Sequence, residues 1–159
     1  MSREYVSMWK DAAEQPAVAL ELETIFERTA AAIAARGPAC WASGRCCNFE
    51  STGHRLYVTG LETAYAINKG AVVTHELVSA ARASGGCPFQ NKNLCGIHTI
   101  KPLGCRVYFC DKSSELWQRE LYEQMLSEIR AMHDRWAIEY RYGEWRDMLE
   151  LFAATGRET

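Results

Sequence analysis

GGCPFQNKNLCGIHTIKPLGCRVYFC, residues 85–110, is the stretch that decides the fold, and it holds four of the seven cysteines in this chain of 159 residues. Residues 90–93 have turn chemistry and lie between two apolar arms, which predicts a hairpin. Cys87 and Cys95 lie on opposite arms, so closure of the hairpin would bring their sulfur atoms together. The stretch therefore predicts a small region of loops and hairpins that gathers thiols.

The residues beside these cysteines support the same interpretation. Cys105 follows Pro-Leu-Gly at 102–104, a predicted tight turn that would direct its thiol back toward the hairpin. Pro88 favours extended backbone at Cys87. Glycine lies next to three of the four cysteines, and its lack of a side chain lets backbone N–H groups approach sulfur closely. Such N–H groups stabilise thiolates and metal–sulfur clusters.

Three further cysteines lie upstream, in CWASGRCCNF at residues 40–49: Cys40, Cys46 and Cys47. In an extended segment the adjacent Cys46 and Cys47 point to opposite sides. Either one of them ligates a metal while the other packs, or both serve a polynuclear centre. Two predicted helices, 61–68 and 74–83, fit between the two cysteine groups, so a folded insert can bring both groups to one shared site.

For any single thiol, the alternative is a buried cysteine that behaves as a small hydrophobic residue. Cys110, which follows two aromatic residues, fits that alternative best, and Cys40 is next. A vicinal or regulatory disulfide is a further alternative. For seven cysteines in a short, glycine-rich region, metal binding explains the pattern better. Zinc-ribbon, ferredoxin and nucleotide-binding motifs have no support, because the chain has no paired C-x-x-C knuckles, no ferredoxin run and no G-x-G-x-x-G element.

Helices are predicted on both sides of the cysteine region. Residues 17–35 are rich in Ala, Leu and Glu at helical spacing, and the helix ends at Arg36-Gly37-Pro38. Residues 114–141 carry the strongest helical pattern, and 144–154 forms a last short helix after Gly143. The apolar stripe of the long helix is typical of a core or partner-helix face and indicates no cofactor role. It consists of Leu121, Met125, Ile129, Met132 and Trp136.

Between the cysteine groups, residues 54–58 predict a short strand or extended entry. Thr59 and Glu62 then have the spacing of a capping box, in which the hydroxyl and the carboxylate each satisfy a free N–H group. The predicted fold is mainly α with a small β-hairpin at a loop-rich metal site (α+β). We expect a single domain, 1–159, with three parts: an N-terminal helix at 1–36, a cysteine-cluster core at 37–112, and a C-terminal helical segment at 113–159.

The charge and hydropathy patterns of the sequence narrow the cellular compartment and the classes of binding partner that we expect. The net charge is −3 over residues 1–35, +5 over 36–112 and −4 over 113–159. The basic middle either stabilises thiolates or packs between acidic helices. Its cations are scattered singly in an acidic chain, so nucleic acid is not an expected partner. No apolar leader or membrane-length run is present, which predicts a cytoplasmic protein in a reducing setting that disfavours disulfides.

Six elements in order resemble the CxxCxxCC family of zinc- or iron-chelating domains, also called YkgJ-type cysteine-cluster proteins. The likeness runs from about Cys40 to Cys110. It includes the opening motif, an apolar strand with threonine and glutamate, a C-x-I-Y-like element and an R-P-x-x-C-R-like element. In this chain these elements are Cys40, Ser43, Cys46 and Cys47; Leu56 to Thr59 with Glu62; Gly86 to Phe89; Cys95 to His98; Lys101 to Arg106; and Cys110.

This chain departs from the family pattern at three positions. Ser43 replaces the second cysteine of the opening motif, so that thiol either is not an essential ligand or is missing from this protein's centre. His98 stands where tyrosine is usual, either as a metal ligand or, in the favoured interpretation, as a neighbouring or packing group. Lys101 stands where arginine is usual. The remaining histidines are interpreted as surface or core residues: His54, His75 and His133.

The resemblance implies metal chelation and leaves zinc and iron both open. Thiolate ligands suit these metals and argue against Mg²⁺ or Ca²⁺. The excess of thiols over four, together with the vicinal pair, favours an iron–sulfur cluster or other iron centre, with zinc as the alternative. The predicted core ligands are Cys47, Cys87, Cys95 and Cys105, with Cys46, Cys40 and Cys110 secondary.

Two other hypotheses stay open. Part of the family is associated with lysine methylation of flagellin, which implies a cluster-dependent methyl-transfer or redox enzyme. However, no methyl-donor site is recognisable in this chain. The last hypothesis is a zinc-stapled structural module whose long C-terminal helix docks a partner protein.

Overall fold

The computed structural model describes residues 3–37, 49–52, 55–92, 94–108 and 115–155. These residues form a mainly helical fold, as predicted, with two small antiparallel strand pairs. Among them, no helix has both the length and the hydropathy that crossing a membrane requires. The elements are α1 Arg3–Glu14, α2 Pro16–Arg36, α3 Phe49–Thr52, β1 Tyr57–Thr59, α4 Gly60–Asn68, α5 His75–Ser84, β2 Gln90–Asn91, β3 Leu94–Cys95, α6 Leu103–Val107, α7 Glu115–Arg135, β4 Tyr142–Glu144 and α8 Trp145–Thr155.

The segment predicted as one N-terminal helix, 1–36, consists of two helices. The break falls at Gln15, whose backbone is extended, and Pro16 begins α2 because it lacks an N–H group and has a helix-compatible φ angle. The prediction of a helix at 17–35 is therefore confirmed. Gly37 ends α2 in the left-handed conformation, with φ at 59°, and donates its N–H to the Ile33 carbonyl.

The first strand pair joins the middle of the chain to its C-terminal part. β1 pairs antiparallel with β4, and Val58 lies opposite Gly143. The sequence of residues 54–58 predicts extended backbone at β1, but no local pattern indicates its partner strand. The pairing leads directly into α4 and α8, since Gly60 and Trp145 are the first residues of those helices. It thereby places the two helices side by side.

The core is centred on Trp9 of α1, whose side chain is 0% exposed. Its ring stacks on Phe152 of α8, with 6.0 Å between centroids, and its indole N–H donates to the Glu139 carbonyl at 2.8 Å. A Cβ atom on Gly60 would come within 2.3 Å of the Trp9 ring, so the close approach of α1 and α4 requires glycine there. Helices from both ends of the described chain thus pack on the central α4.

The long helix α7 ends at Arg135, six residues before the predicted end at 141. The N–H of Ile138 bonds to the His133 carbonyl at 2.9 Å, and the N–H of Ala137 bonds to the Asp134 carbonyl. These two bonds form a Schellman motif with Ala137 in the left-handed conformation, φ at 53°. Glycine usually occupies that position, so the sequence carried no stop signal there. Gly143, predicted as the helix breaker, instead lies in β4.

The predicted apolar stripe of α7 packs inside this chain. Leu121, Met125, Ile129 and Met132 are buried members of the hydrophobic core. Trp136 is the exception, because it lies beyond the helix end, is 39% exposed and donates its indole N–H to Glu21. The stripe is therefore not available as a docking face for another protein.

His133 is a buried histidine on α7, beside the edge of the Tyr140 ring. Its Nδ1 lies 2.8 Å from the Ile129 carbonyl oxygen, which only accepts hydrogen bonds, so the proton of the neutral ring is on Nδ1. Within the described ranges, no group bonds to Nε2. Burial lowers the pKa of His133, and the nearby Asp134 carboxylate opposes that effect only in part.

We expect acid to destabilise the protein through His133. The unfolded chain takes up this proton near pH 6.5, whereas the folded chain does so only at lower pH, so the unfolded state binds more protons in that interval. The free energy of unfolding should fall by up to about 1.4 kcal/mol per pH unit below pH 6.5. Urea unfolding of wild type and His133→Gln between pH 5 and 8 tests this. An equally steep decline in the variant would contradict the assignment.

Candidate metal centre

Three of the seven predicted ligands lie in the described structure. Cys87 is buried just before the β2–β3 hairpin, Cys95 is half-buried in β3, and Cys105 is half-buried in α6. Within the described part of the chain, no three His, Cys, Asp or Glu side chains are grouped so that they could hold a metal ion. The other predicted positions lie outside the described residues: Cys40, Ser43, Cys46, Cys47 and Cys110.

Cys87 accepts a hydrogen bond from a buried tryptophan. The indole N–H of Trp145, the first residue of α8, lies 3.4 Å from the Cys87 sulfur. The backbone N–H of Trp145 bonds to the Leu56 carbonyl at 2.9 Å, and its ring packs against Phe89 at 5.8 Å. The backbone hydrogen bond and the ring contact together hold Trp145 in place, so that its indole N–H is directed at the Cys87 sulfur.

The hairpin of β2 and β3 is present as predicted, with its turn at Lys92, which has φ at 49°. The residue opposite Cys95 is Gln90, whose N–H bonds to the Cys87 carbonyl at 3.2 Å. Cys87 therefore lies one turn before the paired arm rather than directly across from Cys95. The N–H of Gly96 bonds to the Phe89 carbonyl, and a Cβ atom there would lie 2.8 Å from that oxygen.

Cys105 lies in a short helix where sequence analysis predicted a tight turn. α6 begins at Leu103, and the N–H of Cys105 bonds to the Pro102 carbonyl at 3.1 Å. Gly104 faces Leu56, where a Cβ atom would come within 2.5 Å of the leucine side chain. The Leu56 carbonyl also accepts the hydrogen bond from the backbone N–H of Trp145. Helix α6, which carries Cys105, and Trp145, which bonds to Cys87, therefore both pack on Leu56.

Arg106 fixes the loop that precedes α6. Its Nε donates to the Lys101 carbonyl at 2.8 Å, a second guanidinium N–H donates to the Thr99 carbonyl, and the guanidinium lies 3.9 Å from the Phe26 ring centroid. Burial lowers the pKa of Arg106, while attraction to neighbouring groups, including Cys105, opposes that effect. The cation that fixes this loop is the residue directly after Cys105 in α6.

Glu62 links the capping box of α4 to α6. Its Oε2 accepts hydrogen bonds from the N–H and the hydroxyl of Thr59, and its Oε1 accepts one from the N–H of Leu103 at 2.9 Å. The Thr59–Glu62 capping box confirms the prediction. Burial raises the pKa of Glu62, and these hydrogen bonds together with Arg106 oppose the rise.

The helix α3 holds the chain after Cys47 next to the chain before Cys87. The N–H of Glu50 bonds to the Gly85 carbonyl at 3.0 Å. Gly85 has φ at 77°, and a Cβ atom there would lie 2.6 Å from the Glu50 side chain. Arg146 of α8 bonds to Glu50 and lies 5.1 Å from the buried Phe49 ring. The entry to α3 is thereby fixed beside the second cysteine group.

A family model matches residues 39–125, a span that contains all seven cysteines. The chain belongs to the CxxCxxCC family. That family is described as a "putative zinc- or iron-chelating domain", which supports metal binding in general terms. Neither the curated proteins nor the solved structures gave a significant match to this chain.

Two departures from the CxxCxxCC pattern lie in the described residues, and both are on the surface near α6. His98 is exposed, and its Nδ1 lies 3.3 Å from the Nζ of Lys101. The Lys101 ammonium is the main cause of the lowered pKa of His98. His75 pairs with Glu150 on the surface, as the surface interpretation predicted, and His54 lies outside the described residues.

Three contacts of this CxxCxxCC site are made by residues that sequence analysis did not assign to it. Trp145 lies 58 positions from Cys87, Glu62 lies 41 positions from Leu103, and Arg146 lies 96 positions from Glu50. Pairs so distant leave no local pattern. The available signals were the family-like elements that include Glu62 and Arg106, which drew attention to these two residues without revealing what they contact.

The chemistry of the described donors fits zinc or iron. Sulfur ligands select soft or borderline metals, and N–H groups directed at thiolates stabilise both zinc–sulfur and iron–sulfur sites. Cys87 has such a donor in Trp145, and Cys105 lies beside the Arg106 cation. Cys95 and Cys105 are half-buried, whereas Cys87 is buried.

Proposed function

We propose that this protein is a cytosolic metal-binding protein that chelates iron, as an ion or an iron–sulfur cluster, through clustered cysteine thiolates. Zinc is the alternative metal. The proposed core ligands are Cys47, Cys87, Cys95 and Cys105. Cys46, Cys40 and Cys110 are proposed as secondary ligands or packing residues.

The hydrogen bond from the Glu50 N–H to the Gly85 carbonyl is the observation that carries this proposal. It joins the chain three residues after Cys47 to the chain two residues before Cys87. Consecutive Cα atoms are 3.8 Å apart. Along the chain, Cys47 is therefore three residues and Cys87 two residues from the same hydrogen bond, although β1, α4 and α5 lie between the two cysteines in sequence.

The surroundings of the described cysteines support ligation by thiolate. When bound, iron or a cluster would supply a one-electron couple, whereas zinc would supply a cross-link without redox chemistry. The Trp145 N–H would share part of the negative charge on the Cys87 sulfur, and Arg106 would balance that on Cys105. These residues lower the electrostatic free energy of placing several negatively charged sulfur atoms close together.

Metal analysis combined with a visible spectrum of anaerobically purified protein tests the proposal. We expect about one centre per chain, with iron and broad visible absorption. Colourless protein with stoichiometric zinc would replace iron by the alternative metal and keep the chelating function. Protein that purifies without iron or zinc and takes up neither on anaerobic reconstitution would overturn the proposal.

A further inference from the structure

Glu62 is a carboxylate that is only 2% exposed, yet it lies in none of the predicted ligand positions. Its contacts join two elements that are far apart in sequence. One oxygen accepts hydrogen bonds from Thr59 at the N-terminus of α4, and the other accepts a hydrogen bond from the Leu103 N–H at the N-terminus of α6. A buried charge is costly, so a carboxylate kept at this position needs all of these donors.

The short helix α6 depends on this contact because it has no cap of its own. It spans five residues, and its N-cap residue, Pro102, makes no side-chain capping bond. Helices this short are not stable by themselves. The Leu103 N–H is among the first donors of α6, which have no partner within the helix. Glu62 supplies the missing acceptor to a helix that holds Cys105 at its centre.

A carboxyl group satisfies both ends of this link, whereas an amide does not. Its two oxygens accept from three donors, so each oxygen must be an acceptor. Glutamine has nearly the same shape but offers one oxygen and one NH₂ group. Whichever way the amide turned, its NH₂ would face another donor, either at Thr59 or at Leu103. The Glu62→Gln change therefore releases one end of the link with little change in volume.

We propose that Glu62 is a positioning residue that holds α6, and with it Cys105, in place for metal binding. This inference rests on the proposed function, because it assumes that Cys105 is a ligand. Glu62 does not touch the metal itself. Its contribution is to fix the backbone of a ligand-bearing helix before the metal arrives. The loss of a hydrogen bond that orients a ligand typically reduces metal affinity by about 10- to 100-fold.

The test compares Glu62→Gln with Thr63→Val in metal-free protein titrated with Co²⁺ or Zn²⁺. Thr63 is a matched control, because it is the next residue of α4, is fully buried and donates its hydroxyl to the Thr59 carbonyl rather than to α6. We expect Glu62→Gln to lower Zn²⁺ affinity by about 10- to 100-fold. It should also weaken the thiolate-to-cobalt absorption. Thr63→Val should lower the melting temperature and leave both metal readouts unchanged.

Each outcome bears on one of the two proposals. If wild type binds neither ion, the chelating function fails and the positioning role fails with it. If wild type binds and both variants bind equally well, the chelating function stands and the role of Glu62 is wrong. Should Glu62→Gln not fold, Glu62→Asp replaces it, since its shorter side chain cannot span both sets of donors.

Amide exchange in the wild-type protein gives a second measurement that needs no variant. Positioning couples α6 to the metal, so the metal must in turn stabilise the Leu103 hydrogen bond. We expect exchange of the Leu103 N–H to slow by about tenfold or more when Zn²⁺ binds. An unchanged exchange rate would overturn the coupling.

Discussion

The Cys87→Ser and Cys105→Ser substitutions are each expected to remove the bound metal. Serine keeps the approximate size of cysteine but lacks the soft thiolate that holds zinc or iron. Structural zinc sites bind with about 10–16 kcal/mol shared among four ligands, so one lost thiolate lowers affinity by roughly 100-fold or more. Metal content after anaerobic purification, followed by competition with a chelator, measures the loss.

The Cys110→Ser variant is the comparison for these two substitutions. Cys110 follows two aromatic residues and fits a packing role better than any other cysteine of the chain, so this variant should keep most of its metal. Cys87→Ser and Cys105→Ser proteins that retain full metal content would remove both residues from the ligand set. Loss of metal in all three variants would instead place Cys110 among the ligands.

The Trp9→Ala substitution is expected to cause the largest loss of stability at a site that carries no chemistry. The Trp9 ring is fully buried between Gly60 and Phe152, and its N–H satisfies the Glu139 carbonyl. Removal of a buried tryptophan typically costs about 3–5 kcal/mol. For a chain of this size, that lowers the melting temperature by roughly 6–20 °C. Thermal and urea unfolding measure the effect.

The Trp136→Ala variant separates this packing effect from a general effect of tryptophan removal. Trp136 is 39% exposed and makes one surface hydrogen bond, to Glu21. Its loss should cost about 1 kcal/mol or less. Equal losses in the two variants would mean that Trp9 is not central to the core.

Local patterns predicted those elements whose ends carry their own signals. Pro16 and Gly37 bound α2, Thr59 and Glu62 begin α4, and the polar residues around Lys92 form the hairpin turn. Each of these signals acts within a few residues, so it can be read from sequence. The mainly helical fold class and the membership of the CxxCxxCC family were predicted correctly for the same reason.

Features that depend on distant residues were not predicted. β4 becomes a strand because Tyr142 to Glu144 meets β1, about 85 positions earlier in the chain. α7 ends at Arg135, two residues before a left-handed Ala137, and alanine gives no sign of that conformation in the sequence. The family resemblance drew attention to the cysteines and to Glu62, but not to the Leu103 contact that connects Glu62 to Cys105. Which cysteines ligate, and which metal they bind, stay predictions.

The hydrogen bond from Trp145 to Cys87 has a consequence for the order in which the centre is completed during synthesis. Trp145 follows Cys105 by 40 residues and lies outside the family-matched span. At about 5–20 residues per second, the ribosome adds it roughly 2–8 s after that cysteine. A metal that reached the nascent chain earlier would therefore meet Cys87 without its N–H donor, and the mature environment of the sulfur would be completed only after translation of α8 begins.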